Sequence, residues 1–288
     1  MKSYSESRPG EHGEDAELER LRAEVRHLQA RLRAHPLISE AQGMLRERYA
    51  LPDAESAFAL LQRASQQYNV KLRSLAGALM TAPRPDTRAA LWFPRRIRQG
   101  EPPLTFDRAG RCGGGNRGAV LGTVLSHTLS VLDAGMGNVQ IADRVQGGLR
   151  MEKHTGLAAE FVDFFEHVGE GGTSCALAAR NLAQVTVQDV ETDPVFTEDA
   201  RQVILRAGSR ACHSVPLATE SGRCVGMVSA HLDRPLGALT AAQTKALDVI
   251  GGEAGEWLAW YDRTVVLDAL EHLHALGRSH TGRRARRA

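Results

Sequence analysis

Apolar residues between positions 36 and 81 recur at the three- and four-residue spacing of amphipathic helices. The positions that share this spacing are Ile38, Ala41 and Leu45, then Ala57 or Phe58 with Leu61, Ala64 and Tyr68, then Leu72, Leu75 or Ala76, and Leu79. Asp53 after Pro52 is a predicted N-cap for the second run, and Asn69 suits a left-handed turn before the third. The pattern predicts a small bundle of three helices.

A second helical pattern precedes this bundle. Leucine or valine recurs at alternating three- and four-residue steps, as in the seam of a coiled coil, with charged residues between them. The seam positions are Leu18, Leu21, Val25, Leu28 and Leu32. Two interpretations remain open, a coiled coil that pairs two chains and an amphipathic helix that packs on its own bundle. Residues 1–14 are polar with Gly and Pro, a composition typical of disorder.

The residue types in the bundle carry more information than their spacing. The motif Ile-x-x-Ala-Gln-Gly-Met-Leu begins at Ile38, Ala-Phe follows at 57–58, and Asn-x-Lys-Leu begins at Asn69. In this order and spacing the segment closely resembles the ANTAR family of RNA-binding transcription antiterminators. The resemblance implies a homodimer that binds the double hairpin of a leader transcript and prevents the terminator hairpin from forming. It also favours the coiled-coil interpretation, since ANTAR bundles characteristically follow such a helix.

Seven side chains in this segment are candidates for RNA contact. They are Gln42, Arg46, Arg48, Arg63, Tyr68, Lys71 and Arg73. Cations bind phosphates, and an aromatic ring stacks on unpaired loop bases. Gln42 and Gln62 stand where the family usually has Lys and Arg, so two cationic contacts are missing, for which Arg63 is a partial replacement. The alternative is that these scattered charges only solvate a surface.

The segment 84–122 is predicted to be a linker. Its prolines and the three glycines at 113–115 argue against a long regular element. The apolar stretch 91–93 precedes three arginines, and docking on a neighbouring domain is favoured over an RNA platform. Net charge is uneven: −9 over 118–277, +2 over 36–85, +4 over 86–117 and +5 over 278–288. Any nucleic-acid contact is therefore expected in the first third of the chain, in the linker or in the tail, because the remaining part is acidic.

Strand and helix patterns alternate between 123 and 265. Period-two alternation predicts strands beginning near 138 and 149, joined by a hairpin at 147–148, and others at 185–189, 211–217 and 225–232. Helices are predicted at 158–168, 175–182 and 198–207. A long last helix begins with the capping box of Thr240 and Gln243, and its apolar pattern continues to Leu276. Such a helix suits either pairing with a second copy or packing on its own sheet.

This order of elements carries several recognisable motifs. They are Gly-Asn-Val-Gln from Gly137, Gly-Thr-Ser-Cys from Gly172, Val-Gln-Asp-Val-x-x-Asp-Pro-Val-Phe from Val187, Ser-Val-Pro-Leu from Ser214 and Gly-Arg-Cys-Val-Gly-Met-Val-Ser from Gly222. Together they resemble the GAF family of sensory domains. The resemblance implies an α/β fold with a central antiparallel sheet and a small-molecule pocket on one face. Because GAF ligands are diverse, it names no ligand and no cofactor.

Seven residues of this part match pocket positions of the family. They are Asn138, Gln140, Phe164, Cys175, Asp189, His213 and His231. Neighbouring strands with His213 and His231 make a metal or haem site conceivable, but histidines on strands are more often satisfied or exposed, and we assign no metal. Cys175 also fits a small buried hydrophobe, and Asp189 fits a structural turn.

Composition narrows the class of protein. The chain has 288 residues, 42% of them hydrophobic and 24% charged, which is ordinary for a soluble protein. It has no apolar run for a membrane span and no signal-like start, so a cytoplasmic protein is expected. The four cysteines form no C-x-x-C pair, which argues against a zinc finger or a disulfide framework. One GAF-type enzyme reduces free methionine sulfoxide through pocket cysteines, but the spacing here is a poor match, and no enzyme activity is expected.

These observations predict a multidomain protein of the α and α/β classes. Its predicted parts are a disordered start at 1–14, the coiled coil and ANTAR bundle at 15–83, the linker at 84–122, a GAF domain at 123–265 and a helix end with a basic tail at 266–288. The predicted function is an RNA-binding antiterminator controlled by a small molecule or a redox event. The alternative is a dimeric signalling module whose bundle binds a protein partner. ANTAR domains usually follow their sensor, whereas here the order is reversed.

Overall fold

The computed structural model describes residues 36–285, apart from 108, 109, 111 and 170. The disordered start and the coiled coil predicted for 1–35 therefore lie outside the described residues. The chain begins with three helices, α1 over 36–49, α2 over Ala54–Gln67 and α3 over Leu72–Thr81. The predicted start of α2 is confirmed, because the Asp53 carboxylate accepts the Ser56 backbone N–H at 2.7 Å. Asn69 has the predicted left-handed conformation, with φ of 49°.

The second part is a six-stranded sheet flanked by helices, in which every pairing is antiparallel. The elements are α4 Arg117–Leu132, β1 Met136–Ala142, β2 Leu149–Thr155, α5 Ala159–Phe164, β3 His167–Val168, α6 Ser174–Asn181, β4 Val185–Val187, α7 Glu198–Arg206, β5 Ala211–Ala218, β6 Cys224–Leu232 and α8 Ala241–Tyr261. The strand order is β3-β2-β1-β6-β5-β4. Helices α4 and α8 cover one face, and α5, α6 and α7 lie over the other.

Two predictions of secondary structure were wrong. The helix predicted at 158–168 ends at Phe164, and the chain then forms β3, where Met151 donates its backbone N–H to Glu166 at 2.8 Å. Helix α4 begins at Arg117, inside the predicted linker of 84–122. This helix is buried around much of its circumference, so it lacks the one-sided apolar pattern that marks an amphipathic helix. Gly118 and Gly122 weaken its helix signal in the sequence further, because glycine disfavours helix interiors.

The last helix changes its hydrogen-bond pattern once. After α8, a π-helical segment covers Asp262–Val266 and leads without a break into α9, Leu267–Ala285. A π-helix bonds each N–H one residue further back than an α-helix does. Helix α8 packs on β5 of the sheet, whereas α9 packs on α2 and α3. In the described part of the chain, no helix has both the length and the hydropathy of a membrane span.

The segment 91–105, which we call the strap, runs antiparallel to this helix. The backbone N–H groups of Trp92 and Phe93 donate to the Glu271 carboxylate at 2.8 and 3.1 Å. Further along the strap, Gln99 accepts from the indole of Trp260 at 2.9 Å. Three further contacts follow the same antiparallel course. Arg96 contacts Asp268, Glu101 contacts Trp257, and Thr105 contacts Glu253. The stretch 91–93 therefore docks on the chain itself.

Candidate functional site

The candidate RNA-binding residues of α1 lie in three different environments. Gln42 is half-buried and donates its amide to the Ala54 carbonyl at 3.3 Å, which ties α1 to the start of α2. Arg46 is exposed. The Arg48 guanidinium lies 5.5 Å from the centre of the Trp92 ring, and burial lowers its pKa. Of these three side chains, Arg46 is therefore the one displayed to solvent.

The candidates that follow in α2 and α3 are divided in the same way. Arg63 is exposed, whereas the Tyr68 ring lies 5.7 Å from that of His272 on α9. Lys71 forms an ion pair with Glu152. Arg73 donates to Asp143 at 3.3 Å, and it also donates to the side chain of Gln146 at 3.2 Å. Both cations at the start of α3 therefore contact the β1–β2 hairpin.

Glu152 is the centre of this contact, and its side chain is fully buried. It pairs with Lys71, with Arg150 on its own strand and with Arg117, whose Nη2 lies 3.2 Å from Oε1. Burial opposes ionisation of Glu152, but the three cations outweigh it and hold its pKa below the usual value. Burial acts in the same direction on Asp143, and the backbone N–H groups of the turn together with Arg73 lower its pKa. Both carboxylates are therefore charged partners of the bundle.

A hydrogen-bonded histidine fixes the other side of the bundle. His274 on α9 is fully buried, and its Nε2 lies 3.0 Å from the Ala89 carbonyl. A carbonyl oxygen only accepts, so Nε2 carries the proton and Nδ1 accepts the Tyr49 hydroxyl at 2.8 Å. Burial raises the pKa of Tyr49 to about 12, which keeps its hydroxyl a donor. The bundle is thus held between α9 and the hairpin.

The candidate pocket residues of the sheet fall on both of its faces. The strand register places Asn138, Ser229 and Ser214 in one row across β1, β6 and β5. This face also carries Gln140 and His231, and it is covered by α6, from which Cys175 contacts Ser229 at 3.3 Å. All of these side chains are buried or half-buried. We call this set the polar face of the sheet.

Three acceptor atoms of the polar face have no hydrogen-bond partner. They are Asn138 Oδ1, Gln140 Oε1 and His231 Nε2. The Ser209 hydroxyl donates to the Ala211 carbonyl at 3.2 Å and lies 3.1 Å from His231 Nδ1, so Nδ1 is the donor and Nε2 an acceptor. Burial lowers the pKa of His231 to about 4. Since buried polar atoms are normally paired, a cluster of unpaired acceptors marks a candidate ligand site.

The other candidate pocket residues lie elsewhere. His213 is on the opposite face of β5, where it hydrogen-bonds Thr186 at 2.9 Å and Gln184 at 2.8 Å. The two histidines are on neighbouring strands but on opposite faces, so they do not share a metal. Phe164 is 45% exposed at the end of α5, and Asp189 forms a surface turn 3.7 Å from Arg210. Among the described residues, no group of three or more His, Cys, Asp or Glu side chains is placed to hold a metal.

Two thiols near this face, those of Cys212 and Cys224, are poor nucleophiles. Cys212 is buried beside Ser174, and burial raises its pKa to about 12. Burial also raises the pKa of Cys224. Because the thiolate is the reactive form, these two cysteines are protonated at neutral pH.

Several residues of these sites were missed in the sequence. Ser214 and Ser229 alternate in phase with Cys212 and His231, so their place on the polar face was available from the period of two. Glu152 sits in an alternating strand and has the pattern of an exposed residue. No local pattern shows that Lys71 and Arg117 pair with it.

Comparison with protein families gives two matches. The ANTAR domain model matches residues 26–80, and the GAF domain model matches residues 105–256. No curated protein matches the chain.

Solved structures resemble part of the chain, at low identity. A domain of a sensor histidine kinase from Sinorhizobium meliloti 1021 is 18% identical and covers 50% of this chain and 91% of its own, with a TM-score of 0.41. A GAF domain/HD domain protein from Geobacter sulfurreducens is 16% identical, with coverages of 50% and 92% and a TM-score of 0.42. A free methionine-R-sulfoxide reductase from Neisseria meningitidis is 15% identical, with coverages of 49% and 79% and a TM-score of 0.39.

Proposed function

Since the chain belongs to the GAF domain family and also carries an ANTAR domain, we propose that it is an RNA-binding antiterminator whose GAF domain senses a small molecule. Both domains are of regulatory rather than catalytic kinds. The observation that carries the RNA part is the ANTAR match over 26–80, the segment that contains Arg46 and Arg63 as exposed cations and Lys71 and Arg73 as cations held by the hairpin.

RNA and the GAF hairpin compete for the same cations in this proposal. Lys71 and Arg73 are paired with Glu152 and Asp143 in the described conformation, so a phosphate must displace a carboxylate to reach them. We therefore assign this conformation to a state of low RNA affinity. A second state, in which the hairpin releases α3, binds RNA more tightly, and RNA shifts the equilibrium by its preference for that state.

The ligand of the GAF domain is proposed to bind at the polar face. All three unpaired atoms there are acceptors, so the matching ligand donates hydrogen bonds. A cavity of about 400 Å³ opens beside α6, where β1 ends and where β2 and β6 begin, and we propose it as the entrance to this side of the sheet. Strand β1 carries Asn138 and Gln140 and is followed directly by Asp143. A ligand that shifts β1 would thus act on the carboxylate that holds Arg73.

Binding of the full chain to a labelled double-hairpin leader RNA, compared with duplex DNA over a salt series, tests the RNA part. We expect selective RNA binding that weakens steeply with salt, because phosphate contacts release counterions. Replacing Arg46 and Arg63 with Gln is expected to reduce the slope of log affinity against log salt by about 0.7 to 0.9 per lost contact. Arg234→Gln, which removes a half-exposed cation at the far end of β6, is the control.

The Asp143→Asn variant tests the competition. Asn still accepts the turn N–H groups at 145 and 146 but no longer neutralises Arg73, so RNA affinity is expected to rise several-fold. Equal binding of RNA and DNA, or no effect of the Arg46 and Arg63 changes, would refute the RNA function and leave a protein partner of the bundle as the alternative. Unchanged affinity in Asp143→Asn with RNA selectivity intact would refute only the competition.

A further inference from the structure

A cleft lies between the third helix of the bundle and the β1–β2 hairpin, apart from the polar face. Its volume is about 350 Å³, within the range of small-molecule sites, which often form at domain interfaces. Gly77 of α3 and Val145 of the hairpin face each other across it, and Val266 of the π-helical segment contributes to its lining. This cleft is separate from the proposed sensor site, but it shares Arg73 and Asp143 with the contact on which the proposed RNA competition depends.

The polar lining of the cleft is rich in arginine. Four guanidinium groups come from four different elements, α3, α4, the hairpin turn and β2: Arg73, Arg117, Arg144 and Arg150. Two carboxylates, Asp143 and Asp262, line the same cleft and leave an excess of two positive charges. Glu152 and Lys71, which pair behind it, cancel each other. The cleft is therefore electrostatically prepared for an anion.

Two of these guanidinium groups are incompletely satisfied. Arg117 and Arg150 have side chains only 12% and 17% exposed, yet Arg117 Nη2 and Arg150 Nε have no hydrogen-bond partner. These two atoms have ion-pair contacts only, Arg117 Nη2 with Glu152 Oε1 at 3.2 Å and Arg150 Nε with Asp143 Oδ2 at 3.6 Å. A guanidinium presents a planar fork of donors that fits a carboxylate or phosphate group. A buried donor without a partner is costly, so a bound anion would gain from meeting it.

Apart from Ser74 and Thr81, the rest of the lining is apolar. The side chains of Leu37, Ala78, Phe93, Ile141, Val145 and Leu267 contribute to it. We infer that this cleft is a second small-molecule site, which binds an organic anion with one carboxylate or phosphate group and a compact apolar body. Because its walls come from both the bundle and the GAF domain, such an anion stabilises the closed arrangement of the two. If the proposed RNA function holds, the anion also weakens RNA binding.

Calorimetry and thermal unfolding of the full chain with defined probes test this site without RNA. The probes are phenyl phosphate and benzoate, with inorganic phosphate and benzyl alcohol as controls that lack the apolar body and the charge. We expect saturable binding of at least one aromatic anion, at least tenfold tighter than either control, with a rise in the unfolding temperature. Which aromatic anion binds more tightly decides between a phosphate and a carboxylate group.

Two variants locate the binding. Gly77→Leu fills the cleft, since a Cβ on Gly77 lies at an ordinary 3.4 Å from Val145, and it is expected to abolish binding. Arg144→Gln is expected to weaken binding several-fold, whereas Arg234→Gln, with a similar exposure and ion pair, is expected to leave it unchanged. Absence of saturable binding, equal binding of benzyl alcohol, or binding unaffected by both cleft variants would overturn the inference. If Gly77→Leu fails to fold, Arg144→Gln alone decides.

Discussion

Glu152 is a buried carboxylate that cations from three separate elements share. Arg150 is on its own strand, Arg117 begins α4, and Lys71 precedes α3. A charge without water is tolerable only when its partners are in place, so its stability contribution depends on the bundle being docked. Glu152 is thus stable only while the two domains are in contact, even though its position in the strand pattern is that of an exposed residue.

Removing this charge is expected to be costly. In Glu152→Gln, the mostly buried Arg117 and Arg150 lose their common counter-ion, and the free energy of unfolding should fall by roughly 3 kcal/mol. Urea denaturation measures the change. The control is Glu47→Gln, whose carboxylate pairs with Arg84 while both side chains are more than 60% exposed, for which we expect a loss of less than about 1 kcal/mol. Equal losses in the two variants would contradict this account.

The two buried strand histidines predict a dependence of stability on pH. Burial lowers the pKa of both His213 and His231 to about 4. Since an unfolded histidine titrates near 6.5, the unfolded chain binds more protons between these values, and stability falls as the pH falls. From pH 7 to pH 5 we expect a loss of about 2 kcal/mol for each histidine.

Denaturation at a series of pH values measures this loss. The double variant His213→Gln/His231→Gln should flatten the dependence, whereas His154→Gln, at an exposed position, should not. A slope that survives in the double variant would show that other groups are responsible.

Helix α9 approaches the bundle more closely than a side chain would allow. A Cβ placed on Gly277 would lie 2.6 Å from ring atoms of Tyr49, and rings in this packed position have little room to move. A glycine also allows α8 to approach the sheet closely, because a Cβ on Gly255 would lie 2.2 Å from the Ala218 carbonyl oxygen. Two glycines in one continuous helix therefore set its distance from both domains.

Gly277→Ala is expected to push α9 away from α1. The clash should cost about 1 to 3 kcal/mol, more than the gain in helix propensity from replacing glycine. Gly252→Ala is the matched control, because the residue is exposed on α8 and, apart from its chain neighbours and the nearby backbone of its own helix, no atom lies within 4 Å of the position that its methyl group would take. This control should gain about 0.5 to 1 kcal/mol. Thermal unfolding distinguishes the two, and a stabilised Gly277→Ala would contradict the close approach.

The described part of the chain has two apolar cores, and the larger one, together with the strap, joins the bundle to the GAF domain. This larger core runs from the bundle through α9 and α8 to one face of the sheet. Trp92 of the strap belongs to it, with 7% exposure, and stacks on Phe93 with ring centres 5.2 Å apart. The strap therefore joins the bundle to the helix that carries the GAF domain.

Trp92→Ala is expected to release the strap. The lost packing should lower the free energy of unfolding by about 3 kcal/mol, and trypsin should cleave faster at the arginines of 95–98. Leu91→Ala is the control, because Leu91 is 52% exposed and its loss should change neither quantity appreciably. Equal trypsin sensitivity of the two variants would argue against a docked strap.

The sequence predicted local features better than contacts between domains. The Asp53 cap and the Thr240–Gln243 capping box are confirmed, because the residues that form each of them lie within one turn. Only part of the polar face was predicted. Strand periodicity shows which face of the sheet a residue lies on only once the strand register is known. The pairing of Lys71 with Glu152 joins residues 81 positions apart, and no periodicity relates such positions.

The π-helical segment determines how far α9 is rotated about the helix axis relative to α8. Each residue added to or removed from a helix turns everything beyond it by roughly 100°. The wider turn at Asp262–Val266 therefore fixes which side of α9 meets the bundle while α8 stays seated on the sheet. Arg96 donates to the Thr264 carbonyl at 3.4 Å, so the strap contacts the π-helical segment itself. Deleting one residue here would leave both domains intact in sequence and misalign one against the other.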